Sequence, residues 1–226
     1  MIINSVVTNI QTGSDESIFD CKASNAYGVK TPNGFYYRPI TNSYYYGKLL
    51  SAPNTDLAVN FSTATKWRVI VKFMFTETKA GSGMWTRNLV SNMSNYYPCG
   101  VEIEYDKNGY LASGYSSTSG TSSTDVWVYK QMTVTENVWF YAVSAYNNGN
   151  LTTALYNADG TLNDYATSAV ANIYNWTFTP RIGGAYNNSY FTNENCIYDM
   201  NEMLYEKDGV ALWGVTNSKT ATMGVI

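Results

Sequence analysis

Apolar and polar residues alternate with a period of two through the middle of this chain. The clearest case is the segment 67–75, in which every odd-numbered position is apolar, while Arg68 and Lys72 occupy positions between them. Successive side chains of a strand point to opposite faces, so this period predicts a strand with one buried face and one largely hydrated face.

Two further segments carry the same signal. In 101–105, apolar residues alternate with glutamates, and the Asn108-Gly109 pair that follows predicts a tight hairpin turn with positive φ at both central residues. The segment 138–146 is apolar on both faces, which predicts a central strand. Residues 112–124 (ASGYSSTSGTSST) are low in complexity and predict an exposed loop.

Roughly a dozen short strands separated by turn residues, with no convincing amphipathic helix, predict an all-β fold, an antiparallel β-sandwich or barrel. No long Pro/Gly/Ser linker divides the chain. We therefore expect an N-terminal arm or attachment segment over 1–20, one β-sandwich domain over 21–214 and a C-terminal tail over 215–226.

Composition restricts the chemistry. The chain has 14 basic and 17 acidic residues, a net charge of −3, and no histidine. The charge disfavours nucleic-acid binding, and the lack of histidine excludes His-dependent nucleophiles and His-ligated metal sites. Three scattered cysteines (Cys21, Cys99 and Cys196) predict buried small side chains rather than disulfides. With 21 Tyr and 6 Trp, aromatic side chains supply much of the core.

The N-terminal sequence has no basic start followed by an uninterrupted apolar run, and no apolar stretch approaches the roughly 20 residues needed to cross a bilayer. We therefore expect no signal peptide and no membrane partner.

The order of motifs resembles the concanavalin A-like lectin/glucanase superfamily, and within it the laminin-G-like jelly rolls of bacteriophage virion proteins. The resemblance covers about residues 60–214 and rests on the segments WRVIVKFMF, LVSN, GVEIEYDKNGYLA, TVTENVWFYAVSAYNNGNLTTALYNADG, PRIGGA and CIYDMNEMLYEKDGVALWG. Its C-terminal part is the most specific, with strands at 197–200 and 204–205 and a Gly209…Trp213 ending. The resemblance implies two antiparallel sheets with a concave face that recognises glycans or proteins.

Three carboxylates, Glu102, Glu104 and Asp106, recur at every second position and so share one face of a strand. This run is similar to the Glu-x-Asp-x-Glu run of laminarinase-type members of the superfamily, but Glu104 replaces the aspartate and Asp106 replaces the last glutamate. Asp106 also begins a hairpin. A solvated strand face entering a turn is therefore the favoured interpretation, and glycan hydrolysis is the alternative.

Exposed aromatic residues beside amides favour sugar binding, because sugars stack on aromatic rings and hydrogen-bond to neighbouring amides. The predicted ligand contacts are Trp85, Tyr96, Tyr97, Tyr186, Asn187 and Tyr190. Packing of these aromatic rings onto the sandwich is the alternative. No cofactor or metal is expected; Asp159, Asn163 and Asp164 offer calcium ligands but match no EF-hand spacing.

The sequence thus predicts a non-enzymatic phage virion surface protein, a capsid decoration, head-fibre or tail-fibre component that binds glycans or neighbouring virion subunits. The expected partners are other virion proteins, host-surface or mucosal glycans, and copies of the chain in a homo-oligomer. The alternatives are a structural virion subunit without a ligand and a glycan hydrolase.

Overall fold

A computed structural model of the 226-residue chain describes a discontinuous set of residues, from position 27 onward. They are residues 27–31, 34–38, 45–46, 48–49, 52–56, 58–76, 86–91, 93–94, 97–98, 100–116, 125–171, 173, 175, 177, 181–182, 196–199, 202–214 and 216–225.

The described residues form strands and turns, and none of them lies in an α-helix. The strands, in chain order, are β1 (Tyr27–Thr31), β2 (Gly34–Arg38), β3 (Tyr45–Tyr46), β4 (Lys48–Leu49), β5 (Ala52–Asp56), β6 (Lys66–Phe75), β7 (Thr86–Ser91), β8 (Met93–Ser94), β9 (Tyr97–Pro98), β10 (Glu102–Asp106), β11 (Tyr110–Ser116), β12 (Asp125–Gln131), β13 (Trp139–Asn147), β14 (Asn150–Asn157), β15 (Leu162–Ala169), β16 (Arg181–Ile182), β17 (Cys196–Asp199), β18 (Leu204–Lys207) and β19 (Val210–Gly214).

Two large antiparallel sheets face each other. The nine-stranded sheet has the order β1-β2-β17-β6-β13-β14-β15, with the β18–β19 hairpin paired to the same edge of β6 as β17. The six-stranded sheet has the order β12-β11-β10-β7-β16-β3. Two short pairs, β4–β5 and β8–β9, stand apart. This arrangement confirms the all-β, antiparallel sandwich predicted from the sequence.

The core between the sheets is built on the alternation seen in the sequence. The odd positions of β6 are almost completely buried, and Trp67 stacks on Phe61 at 5.0 Å and on Tyr146 at 5.9 Å between ring centroids. Each large ring removes roughly 150–250 Å² from water. Aromatic packing of this kind compensates for the modest number of aliphatic residues.

The other face of β6 is not hydrated, so that part of the prediction is wrong. Arg68, Ile70 and Met74 are buried there as well. For Arg68 and Ile70 the cause is distant in sequence, because residues 216–225 form a series of turns over them, with Met223 packed in the same apolar cluster as Ile70.

Residues 112–116 are also not the exposed loop that their composition predicts. They continue β11, which pairs with β12 along its whole length. Leu111 and Tyr115 are completely buried, and the Tyr115 hydroxyl donates to the Ala171 carbonyl. Burial of these two side chains outweighs the weak strand preference of the Ser and Gly residues near them. Residues 117–124 lie outside the described part.

Turn geometry agrees with the sequence at two hairpins and differs at one. Asn148-Gly149 and Asp208-Gly209 have positive φ at both residues, as a type I′ turn requires. At 108–109, only Gly109 has positive φ, at 84°. The Asp106 side chain fixes this turn by accepting the amides of Asn108 and Tyr110, both at 2.8 Å. That carboxylate lies at the edge of the site described next.

Candidate functional site

An open groove lies on the outer face of the six-stranded sheet, the face turned away from the core. It has a volume of about 420 Å³, and the described residues that line it come from three adjacent strands: Glu104, Asp106, Tyr110, Ala112, Trp127 and Tyr129. The strand register explains why they meet, because Glu104 lies opposite Ala112 and Ala112 lies opposite Tyr129. Period-two alternation puts the remaining members on the same face.

One end of this face is shielded from water. Glu102 is completely buried, and it lies opposite Gly114, which in turn lies opposite Trp127. The indole of Trp127 lies directly over Gly114, so closely that a methyl group at Gly114 would overlap the ring. The absence of a side chain at Gly114 therefore lets Trp127 lie flat across the sheet beside Glu102.

Glu104 has the chemistry expected of a proton-transfer group. Its side chain is partly buried and hydrogen-bonds to Glu102. Burial raises the pKa of Glu104 to about 7; the hydrogen bond from Glu102 opposes this change, and the negative charge of Asp106 adds to it. A carboxyl group with a pKa near neutrality both donates and accepts protons at ordinary pH.

Asp106, two residues further along the same face, is in a different environment. It accepts hydrogen bonds from two backbone amides of its own turn and from the Asn108 side chain at 3.4 Å. These donors fix the position of its carboxylate at the mouth of the groove. The two acidic groups thus differ in their surroundings, one being buried against a second carboxyl and the other being held by N–H donors.

The backbone is irregular beside Glu104. The pairing of β10 with β7 shifts register between Ile103 and Glu104. Such bulges re-aim side chains and are common next to active sites. The bulge and the hydrogen bond from Glu102 together set the position of the Glu104 carboxyl.

Most of the aromatic ligand contacts predicted from the sequence are untested. Trp85, Tyr96, Tyr186, Asn187 and Tyr190 lie outside the described residues. Tyr97 lies in β9, where its backbone pairs with Ser94. A sugar site at these positions stays a prediction.

Tyr110, Trp127 and Tyr129 are groove residues that sequence reasoning missed as site residues, although the signal was present. The turn at 108–109 pairs β10 with β11, and the return into β12 brings DVWVYKQ alongside. The carboxylate run of β10 and the alternating aromatic residues of β12 therefore belong to one face. The sequence alone did not indicate that β11 pairs with β12, which is the step that brings these residues together.

A cluster of described charged groups on the other sheet is paired. On the outer face of the nine-stranded sheet, Lys72 lies 3.0 Å from Asp199 and 2.7 Å from Glu202, over the rings of Trp139 and Tyr141. Burial alone lowers the pKa of Lys72, but hydrogen bonds and charges from the two acids outweigh it and raise that pKa. In this cluster, the lysine and the two acids satisfy one another.

The calcium alternative has a simpler structural explanation. Asp159 accepts the amide and hydroxyl of Thr161 within its turn, and Asp164 pairs with Lys130 at 2.7 Å. Among the described residues, no group of three acidic, cysteine or histidine side chains is arranged to hold a metal ion. Cys196 is buried, while Cys21 and Cys99 lie outside the described part.

No helix within the described ranges is long and apolar enough to span a membrane.

Comparison with known proteins is informative about the fold and not about the sequence family. No protein-family model matches the sequence, and no curated protein matches it. Among solved structures, alginate lyase A1-II′, a member of polysaccharide lyase family 7, matches with a TM-score of 0.53 at 12% identity over 84% of this chain and 86% of that one. A Trypanosoma rangeli sialidase matches with a TM-score of 0.53 at 12% identity over 91% of this chain, but only 29% of the sialidase.

The fold is a jelly-roll β-sandwich of the kind that the sequence resemblance implies, whereas membership of the superfamily and of its virion type stays a prediction.

The expectation that the protein is not an enzyme is contradicted by the same comparisons. Several of the matching structures are of alginate lyase A1-II′, an enzyme, at about 12% identity. Sequence reasoning discounted the carboxylate run because Asp106 begins a turn. In the structure, that turn leaves Asp106 lining the groove beside Glu104.

Proposed function

We propose that the protein hydrolyses glycans in the groove of the six-stranded sheet, with Glu104 as the general acid. The observation that carries this proposal is the placement of a partly buried carboxyl, hydrogen-bonded to Glu102, in an open groove walled by aromatic rings. The fold supports it, because the alginate lyase, which matches over 86% of its own length, is a sugar-acting enzyme with a similar sandwich.

The chemistry needs one proton donor and one fixed negative charge. Glu104 donates its proton to the glycosidic oxygen as the bond from that oxygen to the anomeric carbon breaks. Positive charge then develops on the sugar ring, and the Asp106 carboxylate, held by its turn amides, stabilises that charge. Water adds to the anomeric carbon and returns a proton to the Glu104 carboxylate, so the enzyme is regenerated.

Glu102 acts through Glu104 rather than on the substrate. It is completely buried, and its hydrogen bond fixes the orientation of the Glu104 carboxyl. Positioning of this kind matters because a general acid transfers a proton only within hydrogen-bond reach of its target.

The test is the release of reducing ends from a panel of plant, fungal, bacterial and animal glycans. We expect cleavage of at least one glycan and a loss of about 10²–10⁴-fold in kcat for Glu104→Gln, since that is the usual contribution of a general acid. Glu136→Gln is the matched control, because Glu136 is exposed and does not line the groove. Failure to cleave any glycan, or full activity in Glu104→Gln, overturns the proposal.

The sequence resemblance alone supports a further proposal, that the protein sits on a virion surface beside other virion proteins. Immunogold labelling of purified particles tests it, and labelling confined to lysate debris contradicts it.

A further inference from the structure

A large tyrosine ring is left uncovered next to the carboxylates. Tyr129 lies on β12, the edge strand of its sheet, and 64% of it is exposed. It meets Tyr110 edge-on, with ring centroids 5.9 Å apart and planes inclined at 75°. This contact orients the Tyr129 ring without covering it.

The ring stands at a definite distance from Glu104. Glu104, Ala112 and Tyr129 form one row across three strands, with only the Ala112 methyl group between the acid and the ring. Neighbouring strands lie about 4.8 Å apart, so the backbones of Glu104 and Tyr129 are separated by roughly 10 Å. A sugar stacked on Tyr129 therefore places the next sugar of the same chain towards the carboxyl groups.

Charge restricts which sugar can enter. The described groove residues include the acids Glu104 and Asp106 and no basic side chain. Lys130, the nearest cation on β12, is paired with Asp164 and also donates to the Tyr165 carbonyl. The proposed mechanism keeps Asp106 as a fixed negative charge, and a like charge a few ångströms away from it in a partly buried site is repelled. An anionic glycan would bring carboxylates next to Asp106, with no basic side chain among the described groove residues to offset them.

We propose that Tyr129 and Tyr110 form a stacking subsite for an uncharged sugar ring, so that the groove takes a neutral glycan rather than a uronic-acid polymer. This inference rests on the glycan-hydrolysing function proposed above. It separates this chain from an alginate-acting protein of similar fold on the basis of its own groove residues.

Binding and cleavage are measured separately to test it. Isothermal titration calorimetry uses hexasaccharides of β-1,3-glucan, cellulose, mannan, xylan and chitin as neutral probes, and alginate hexasaccharide and sialyllactose as anionic probes. We expect a neutral probe to bind best and Tyr129→Ala to weaken it about tenfold, because one aromatic contact is worth roughly this much. Tyr129→Phe keeps the ring and keeps the affinity.

The control is Tyr165→Ala, which removes a tyrosine that is 40% exposed on β15 and does not line the groove. Thermal unfolding of each variant checks that the fold is intact. Tighter binding of an anionic probe than of every neutral one, no binding of any neutral probe, or unchanged affinity in Tyr129→Ala overturns the subsite.

Failure of the subsite and failure of the enzymatic function are distinguishable. Neutral-glycan binding that depends on Tyr129 but is followed by no cleavage retains the subsite and overturns hydrolysis. Cleavage that depends on Glu104 but not on Tyr129 retains hydrolysis and overturns the subsite.

Discussion

The outer faces of the two sheets carry the same kinds of residues in opposite arrangements. On the nine-stranded sheet, acids meet bases, as Arg68 does with Glu206 at 2.6 Å. On the six-stranded sheet, Glu104 meets Glu102 and Asp106 instead. In the first arrangement Arg68, Lys72 and their acids are paired, and the C-terminal segment lies over Arg68. The second holds acids together in an open groove, at a cost in stability that a purely structural face has no reason to bear.

The largest expected effect tests whether water is excluded from the outer face of the nine-stranded sheet. Arg68 makes a two-point contact with Glu206 and donates to the carbonyls of Thr220, Ala221 and Met223. Arg68→Ala leaves a buried carboxylate without its cation, so we expect the free energy of unfolding to fall by about 3–5 kcal/mol. Urea unfolding measures it.

The matched control for that variant is Lys219→Ala. Lys219 is 38% exposed and 3.9 Å from Glu202, so its loss costs less than about 1 kcal/mol. An equally small effect of Arg68→Ala would show that this face is open to water.

The second prediction concerns the acids of the groove. Because the pKa of Glu104 is raised from 4.5 to about 7, the folded state binds more protons than the unfolded state between these values. Stability therefore falls as pH rises through this window, by up to about 3 kcal/mol in total. Unfolding free energies measured from pH 4.5 to 8 check this decline.

Glu104→Gln removes the titrating group and should flatten the decline, whereas Glu136→Gln should keep it. A slope that is the same in wild type and Glu104→Gln would contradict the idea that the groove stores unfavourable charge.

The smallest predicted effect concerns the buried end of the groove, where Trp127 lies over Gly114. Gly114→Ala forces Trp127 off the sheet, so we expect a loss of about 1–3 kcal/mol and a red shift of tryptophan fluorescence. Removing the ring as well, in Gly114→Ala/Trp127→Ala, eliminates the overlap.

The second substitution should then destabilise the protein less in the Gly114→Ala background than in the wild type. Additive effects of the two changes would show that the ring does not lie over Gly114.

The features that the sequence predicted depend on residues close together in the chain, whereas the features that it missed depend on residues far apart. The inward face of β6 and the hairpin at 148–149 follow from period-two alternation and turn chemistry, both local. The burial of Arg68 depends on residues 216–225, which lie about 150 positions away. The sequence of β6 by itself does not predict a contact with so distant a segment.

The candidate site shows the same division. The run Glu102, Glu104 and Asp106 was visible as a set of carboxylates on one strand face. The aromatic wall opposite, which contains Trp127 and Tyr129, required the register of two successive hairpins. The raised pKa of Glu104 required its burial, which no strand pattern specifies.

The placement of Met223 has a consequence for biosynthesis. During translation, β6, β13 and β14 leave the ribosome well before the segment that covers them. Ile70, Val143 and Tyr156 form an apolar patch that is exposed to water until that moment. Nascent chains stalled before residue 216 therefore expose this apolar patch. We expect holdase chaperones to bind them in preference to the 226-residue chain.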